Sequence, residues 1–458
     1  MIASLLTVFP GYGRHDRELS LADQSWAPDS MTVAAAQADF GKQWWHAFND
    51  PMLDTLITIG EQNNYNAAAA ARRISVARQQ LGEARSSWFP QIGLSAGYTR
   101  EGLSGRTDGR SGSTSTASFF NAGASLSWEI DVFGKISRQV NRAAKYVKLS
   151  AAEYGGVMLA LDSEIAMSYI NLLVSRRQLQ IADIHTFNQD TILKMVETRY
   201  RTGLASKLEV AQARTLYYST IATVPMLEAS ITSSYNSLSV LLGIMPDSLP
   251  EGLYAERQLP DGAVLPVTGT PADLLRRRPD IAAAENNVDI AASALGIAKS
   301  EYLPSLSVSA SVGTQAHDIR DMFGSRSLTY SVAPTLSWTL FDGLSRRYAT
   351  AAAREDLEIQ VDNYNLTVLT AVEEVRNALA SYSASQRHVE RLEKVLENCR
   401  EEVRLSVELY KQGLTVFSNV VDAQQDYLTY ENEMVQAQGN TLISLINVYK
   451  ALGGGWSE

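Results

Sequence analysis

Between Ser305 and Gly313 the chain alternates without a slip between an apolar row, Leu306, Val308, Ala310 and Val312, and a row of small polar residues, Ser305, Ser307, Ser309, Ser311 and Gly313. A two-residue period is that of a β-strand. Residues 91–99 repeat the pattern with Ile92, Leu94, Ala96 and Tyr98 on one face. Residues 119–130 do so with Ala122, Ala124, Leu126, Trp128 and Ile130, and residues 328–339 with Leu328, Tyr330, Val332, Pro334, Leu336 and Trp338. A half-buried strand of a water-soluble sheet carries Lys, Glu or Arg on its wet face, whereas a barrel strand in a membrane turns its apolar row to lipid and small polar groups to a watery lumen. Each segment has roughly the nine to eleven residues that a tilted strand needs to cross the hydrocarbon layer. Four strands are too few to close a barrel, since about eight is the smallest closed number. A membrane reading therefore requires several chains per barrel, and the other reading is a soluble antiparallel sheet with one face on a helical core.

Around the strands the period changes to that of helices. Asp50-Pro51 predicts an N-cap followed by a first-turn proline, opening a helix that runs to Trp88 and is stopped by Pro90. Residues 101–118 and 314–327 are polar connections, so each strand pair reads as a hairpin with its tip on the outer side. After each hairpin, Phe133-Gly134 and Phe341-Asp342-Gly343 lead into helices that continue to about Arg201 and Lys411. Each spans nearly 70 residues, on the order of 100 Å at 1.5 Å per residue. In the second, Val389, Leu392, Leu396, Cys399, Val403, Ser406 and Tyr410 form a coiled-coil seam, while Leu405, Val407 and Leu409 lie off it and call for a neighbour on a second side. Gly203 and Gly413 suit the left-handed position that ends a helix. Return helices are predicted from Ser206 to Leu242, kinked by Pro225, and from Phe417 to Leu452.

The correspondences form an internal duplication. Tyr200, Gly203, Leu204 and Ala213 recur 210 positions later as Tyr410, Gly413, Leu414 and Ala423, Ser127-Trp128 as Ser337-Trp338, and Phe89-Pro90 answers Leu303-Pro304. The predicted organisation is an N-terminal extended segment 1–40, a first structural repeat 41–245, a connector 246–271 and a second repeat 272–456. In the connector region Thr270-Pro271-Ala272-Asp273 reads as a helix opening. Met1 to Gly13 is apolar but short, and reads either as the remnant of a secretory signal or as a disordered start.

Composition narrows the function. With 45% hydrophobic and 20% charged residues among 458, the chain can build a large core. A formal charge of −10 argues against nucleic acid as a partner, because phosphate binding needs a basic surface. No window approaches 18 uninterrupted apolar residues, so a membrane role falls to the strands. The single cysteine, Cys399, excludes an internal disulfide and any multi-thiolate metal site. His15, His46, His185, His317 and His388 are scattered with no pair at ligand spacing. No phosphate loop, dinucleotide fingerprint or nucleophile elbow occurs, so an enzyme, a metal site and a cofactor are not expected. Arg276-Arg277-Arg278 beside a helix start reads as local salt bridges and backbone contacts.

Four pieces together carry a resemblance: Trp44-Trp45 through Asp50-Pro51-Met52-Leu53; Phe89-Pro90-Gln91-Ile92; Leu275-Arg276-Arg277-Arg278-Pro279-Asp280-Ile281; and the turns Tyr200-Arg201-Thr202-Gly203 and Tyr410-Lys411-Gln412-Gly413. In this order, over about residues 40–456, the chain resembles the TolC-like outer-membrane efflux channels, most closely the branch serving resistance-nodulation-division pumps. The resemblance implies a mainly α fold with membrane β: a homotrimer whose twelve-stranded β-barrel, four strands per chain, continues into a long periplasmic α-helical barrel. It implies an outer-membrane location in a Gram-negative bacterium, contact with outer-membrane lipid, no catalytic activity and no cofactor. The implied partners are a periplasmic adaptor (membrane fusion) protein and an inner-membrane resistance-nodulation-division pump. Carried over to this sequence, Tyr410 is a closing contact of the periplasmic gate and Asp422 its ring carboxylate. Asn419 stands where some members have Asp. Gly203, Leu204, Gly413 and Leu414 are the adaptor-contact turns. The rival is a soluble long-helix scaffold or periplasmic adaptor with a self-packed sheet. Many members of the branch begin with a lipid-modified cysteine, whereas this sequence has none near its start. Ten dispersed methionines favour organic cargo over soft metal ions.

Overall fold

The computed structural model describes residues 43–103, 115–260 and 277–454. The expected N-terminal segment 1–40, most of the first outer connection, the opening at Thr270–Asp273 and the motif residues Leu275 and Arg276 lie outside the described residues. Among those described, the helices are α1 (Pro51–Asn63), α2 (Tyr65–Ser86), α3 (Lys135–Arg201), α4 (Lys207–Ile221), α5 (Val224–Leu242), α6 (Pro279–Ser300), α7 (Ser345–Lys411) and α8 (Phe417–Ala451). The strands are β1 (Gln91–Leu103), β2 (Ser115–Ile130), β3 (Ser305–Ala316) and β4 (Leu328–Ser337). The chain divides into two compact units. One contains the sheet, within Arg72–Ala151 and Ala283–Tyr364, and the other comprises Met1–Ala71, Ala152–Ala282 and Asn365–Glu458.

In the sheet unit the strands follow the order β1-β2-β3-β4, antiparallel throughout. The register keeps each row on its own face: Ile92, Leu126, Ala310 and Val332 align across the sheet, and so do Gly93, Ser125, Ser311 and Ser331. The apolar face is left uncovered, with Leu94 86%, Tyr330 81%, Val332 69% and Leu336 66% exposed, which is not the burial of a sheet packed on its own helices. β1 and β2 pair four residues further toward the tip than alternation predicts, from Thr99–Phe119 to Leu103–Ser115, because ladder bonds need no apolar side chains. β4 ends at Ser337, opposite Ser305, since the next residue of the partner strand is Pro304, which has no N–H to give. At the centre Gly123 lies opposite Gly313, where a Cβ on Gly123 would sit 2.7 Å from the Val312 carbonyl oxygen.

Both hairpins are tied at their base in one way. Trp128 Nε1 donates to the carbonyl of Trp88 (3.0 Å), and Trp338 Nε1 to that of Tyr302 (3.1 Å). Each accepting residue stands two before the proline that ends a helix and starts a strand. Arg346 reinforces the second base, donating to the Glu301 carbonyl and to Asp342 while its guanidinium lies 5.5 Å from the centre of the Tyr302 ring.

The helical unit is built around Leu53, Leu56, Ile57, Ile165, Tyr169, Ile170, Leu172, Leu238 and Leu242, all buried to 1% exposure or less. Asp50 caps α1 as expected, accepting from the Met52 amide (2.8 Å), and also receives the Tyr169 hydroxyl (2.7 Å). The single helix predicted from Asp50 to Trp88 is instead two. Asn64 breaks it: its side-chain oxygen accepts from the amides of Asn66 and Ala67, and its amide donates to the Leu241 carbonyl on α5. A buried side chain that caps one helix and grips another outweighs continuity of the ladder. The kink expected at Pro225 is a full break at Ala222 and Thr223, with Pro225 in the first turn of α5. Proline lacks the N–H that would bond the Ile221 carbonyl, and its ring clashes there.

Within α3 lies an 18-residue window apolar enough by composition to cross a membrane, and 61% of it is buried inside the fold. Arg278 makes the expected local salt bridge to Asp280, and beyond it clamps distant segments by donating to the Ala451 carbonyl and to Glu374. The α7 seam packs as predicted: Leu392, Val389 and Leu396 meet Met434, Ala437 and Tyr430 of α8. Leu405 and Leu409 stay about 40% exposed.

Candidate functional site at the helical turns

Two helical hairpins, α3–α4 and α7–α8, end in turns of one geometry. Leu204 N donates to the Arg199 carbonyl (2.7 Å) and Gly203 N to that of Tyr200 (3.0 Å); Leu414 N donates to Leu409 (2.9 Å) and Gly413 N to Tyr410 (3.0 Å). The six-to-one bonds of the leucines and the inner five-to-two bonds of the glycines close the helix ends, and Gly203 and Gly413 take the left-handed φ of 77° and 74° that they require. Such closure pushes the next side chain outward. Leu204 and Leu414 are 69% and 70% exposed.

Behind the turns the two hairpins are joined. Leu193, Val196, Val210 and Ala213 of the first pack with Tyr410, Phe417 and Val420 of the second. Tyr410 is 4% exposed and donates its hydroxyl to Glu209 Oε2 (2.5 Å) on α4. Arg199 of α3 sits 4.9 Å from the centre of the Tyr410 ring and donates to the Lys411 carbonyl (3.1 Å). Phe417 lies against the same ring at 5.1 Å. Burial alone would raise the Glu209 carboxyl, but hydrogen bonds from Tyr410 and Ser206 and the Arg199 charge hold it below its ordinary value. The Tyr410 hydroxyl is pushed up to about 12 by burial, then by its bond to Glu209 and that group's charge.

Tyr410 thus faces the inter-hairpin core, whereas Asn419 and Asp422 lie on an exposed face of α8 and are not brought together with it. Asn419 donates to the Thr415 hydroxyl (2.8 Å). Asp422 makes no ion pair or hydrogen bond among the described residues, and one turn further on the same face stands exposed Asp426. Glu209 and Arg199 were not picked out from the sequence. A signal existed in the Ser206-x-x-Glu209 spacing, which forms a reciprocal capping box at the start of α4. No group of His, Cys, Asp and Glu among the described residues could hold a metal ion.

The profile of outer membrane efflux proteins matches residues 56–244 and again 270–454. The pyoverdine export outer membrane protein OpmQ of Pseudomonas putida is 30% identical over 434 residues, 93% of this chain and 91% of its own. Nodulation protein T of Rhizobium leguminosarum bv. trifolii is 27% identical over 445 residues, 94% of each. Among solved structures, the outer-membrane channel OprN superposes with a TM-score of 0.86 at 27% identity, over 94% of this chain and 98% of its own. VceC of Vibrio cholerae shares the fold with a TM-score of 0.83 at 23% identity, over 91% and 100%. The fold class is that of a trimeric channel whose twelve-stranded barrel takes four strands from each chain. With its profile matched over most of the chain and an uncovered apolar face on its sheet, the chain belongs to the outer membrane efflux protein family and is an efflux channel of the Gram-negative outer membrane.

Proposed function

We propose that the chain is the exit duct of a tripartite pump, passive and without catalytic activity, and that it is closed at its periplasmic turns. Tyr410, Glu209 and Arg199 hold the two hairpins of each copy together there, and Asp422 from the three copies forms a carboxylate ring with Asn419 beside it. The observation that carries this reading is the Tyr410–Glu209 bond, which links α7 to α4 and must break if the hairpins separate. Three Asp422 side chains around one axis repel one another and favour cations. The exposed Leu204 and Leu414 beside Gly203 and Gly413 are the contacts for a periplasmic adaptor protein, which connects to an inner-membrane resistance-nodulation-division pump, and the apolar sheet face contacts outer-membrane lipid. The relatives named for pyoverdine, toluene and solvent efflux support organic cargo. The chain is a duplicated unit of helix, two strands, long helix, turn and return, with a connector at 246–271. Two 67-residue helices and the doubly matched family profile support this division.

The test is single-channel conductance in planar bilayers of Tyr410→Phe and Glu209→Gln. A hydrogen bond to a charged group contributes about 1.5–3 kcal/mol, so its loss shifts the closed-to-open ratio by roughly tenfold or more. Both variants are expected to conduct more than the parent, and unchanged conductance in both would remove this link from the gate.

A further inference from the structure

We infer that β4 of one copy pairs with β1 of the next in a specific register, with Ser337 opposite Ser95. The inference rests on the duplication proposed above. Closure into a trimer says that these two edges meet; it does not say which residue meets which.

The two tryptophan bonds fix how the hairpins correspond. Trp128 reaches the carbonyl two residues before Pro90, and Trp338 the carbonyl two residues before Pro304. The ladders agree independently. Gln91, just after Pro90, faces Ser127, just before Trp128, and Ser305, just after Pro304, faces Ser337, just before Trp338. Gln91 therefore corresponds to Ser305 and Ser127 to Ser337, and each residue of β1 and β2 has its counterpart in β3 and β4.

One junction between hairpins is visible inside the chain, where β2 pairs with β3. There Ser127 faces Ser309, Trp128 faces Val308 and Leu126 faces Ala310. Strand tilt and stagger are linked in a closed barrel, so a junction with a different stagger would force a different local tilt. Carrying the internal junction over to the seam places Ser337 opposite Ser95, Trp338 opposite Leu94, Leu336 opposite Ala96, Pro334 opposite Tyr98 and Ala333 opposite Thr99 of the next copy.

Two observations agree with this pairing. It joins apolar row to apolar row and lumen row to lumen row, which a slip by one residue would invert. The outer edges are bare in the single chain: all of β4 is exposed, and Trp338 is 60% exposed where its counterpart Trp128, beside β3, is 37%.

The test uses paired cysteines in a Cys399→Ala background, expressed in outer membranes and oxidised. Ser95→Cys with Ser337→Cys is compared with Gly93→Cys and with Gly97→Cys, each combined with Ser337→Cys. Two residues along a strand displace a partner by about 7 Å, beyond the ~3.5–4.5 Å between Cβ atoms that a disulfide tolerates. An added Cβ at Gly93 comes no closer than 3.4 Å to the Ser125 hydroxyl, and at Gly97 the 3.0 Å neighbour is the end of the Asn121 side chain, which can rotate away, so both control sites accept a side chain. A second pair, Thr99→Cys with Ala333→Cys, keeps the test open should the first disturb assembly. The expected result is a shift of most of the protein to a covalent trimer, reversed by reductant, for the 95/337 and 99/333 pairs only. Cross-linking through position 93 or 97 instead would overturn the register while leaving edge-to-edge closure intact. An absence of cross-links in every pair that still runs as a native trimer would overturn the duplication-based seam altogether.

Discussion

Tyr410 and Glu209 lie 201 positions apart and share one short hydrogen bond, from the phenolic hydroxyl of α7 to the carboxylate that also caps α4. The carboxylate fastens its own hairpin turn and the neighbouring hairpin at once. A change at this group is therefore felt at both turns.

Acid should release this contact. The Glu209 carboxyl is held below its ordinary value of 4.5, so its contribution is fully present above that value and is lost as pH falls through the lowered one. Conductance is expected to rise as pH is taken from about 5 downward. Glu209→Gln, which has no charge to lose, should show no such rise, and parallel pH profiles of the two channels would contradict the assignment.

Asp422→Ala tests the ring separately from the Tyr410 link. The carboxylate is exposed and has no partner within the described part of the chain, so its removal should leave the melting temperature within a degree or so of the parent, as for surface positions in general. Cation preference, read from reversal potentials in a salt gradient, is expected to fall. An unchanged preference would exclude Asp422 from the narrow point.

Asp162 on α3 is 2% exposed, its Oδ1 has no hydrogen-bond partner, and burial together with the Glu61 charge raises its pKa to about 8 from 3.8. A raised carboxyl keeps its proton in the fold after the unfolded chain has lost it, so stability falls as pH rises from about 4 to about 8. Asp162→Asn should remove that slope. Thermal melts at pH 5 and pH 9 are expected to show the variant gaining on the parent by about 1–3 kcal/mol at the higher pH, the usual cost of an unsatisfied buried group.

Gly439 of α8 faces α3 at a distance that admits no side chain: a Cβ there would meet Val174 Cγ2 at 2.4 Å. Valine is branched at that point and has few rotamers to yield with. Gly439→Ala is expected to lower stability by roughly 1–3 kcal/mol through overpacking, even though alanine is the better helix former. A raised melting temperature would mean that the helices part at little cost.

Leu204→Asp with Leu414→Asp should leave the isolated channel folded, because both side chains are about 70% exposed, and should abolish efflux in cells by preventing adaptor contact. Drug susceptibility of a strain relying on the variant, compared with its conductance in bilayers, separates the two effects. Wild-type efflux would remove these leucines from the docking surface.

The sequence by itself determined the periods. A two-residue alternation of Ser and Gly against Val and Leu can satisfy only a strand with unlike faces, and four strands lie over that alternation with shifted ends, β1 beginning just after Pro90 and β3 just after Pro304. The two long helices and the glycine turns were legible for the same reason, because helix period and left-handed termination are properties of neighbouring residues. What could not be read locally was decided by contacts between distant segments. Asn64 breaks a helix because its side chain reaches Leu241. Tyr410 turns inward because Glu209, Arg199 and Phe417 surround it, while Asp422, only twelve positions on, is left in solvent. A side chain's role at this site depends on which hairpin lies beside it, and only the folded chain brings those hairpins together.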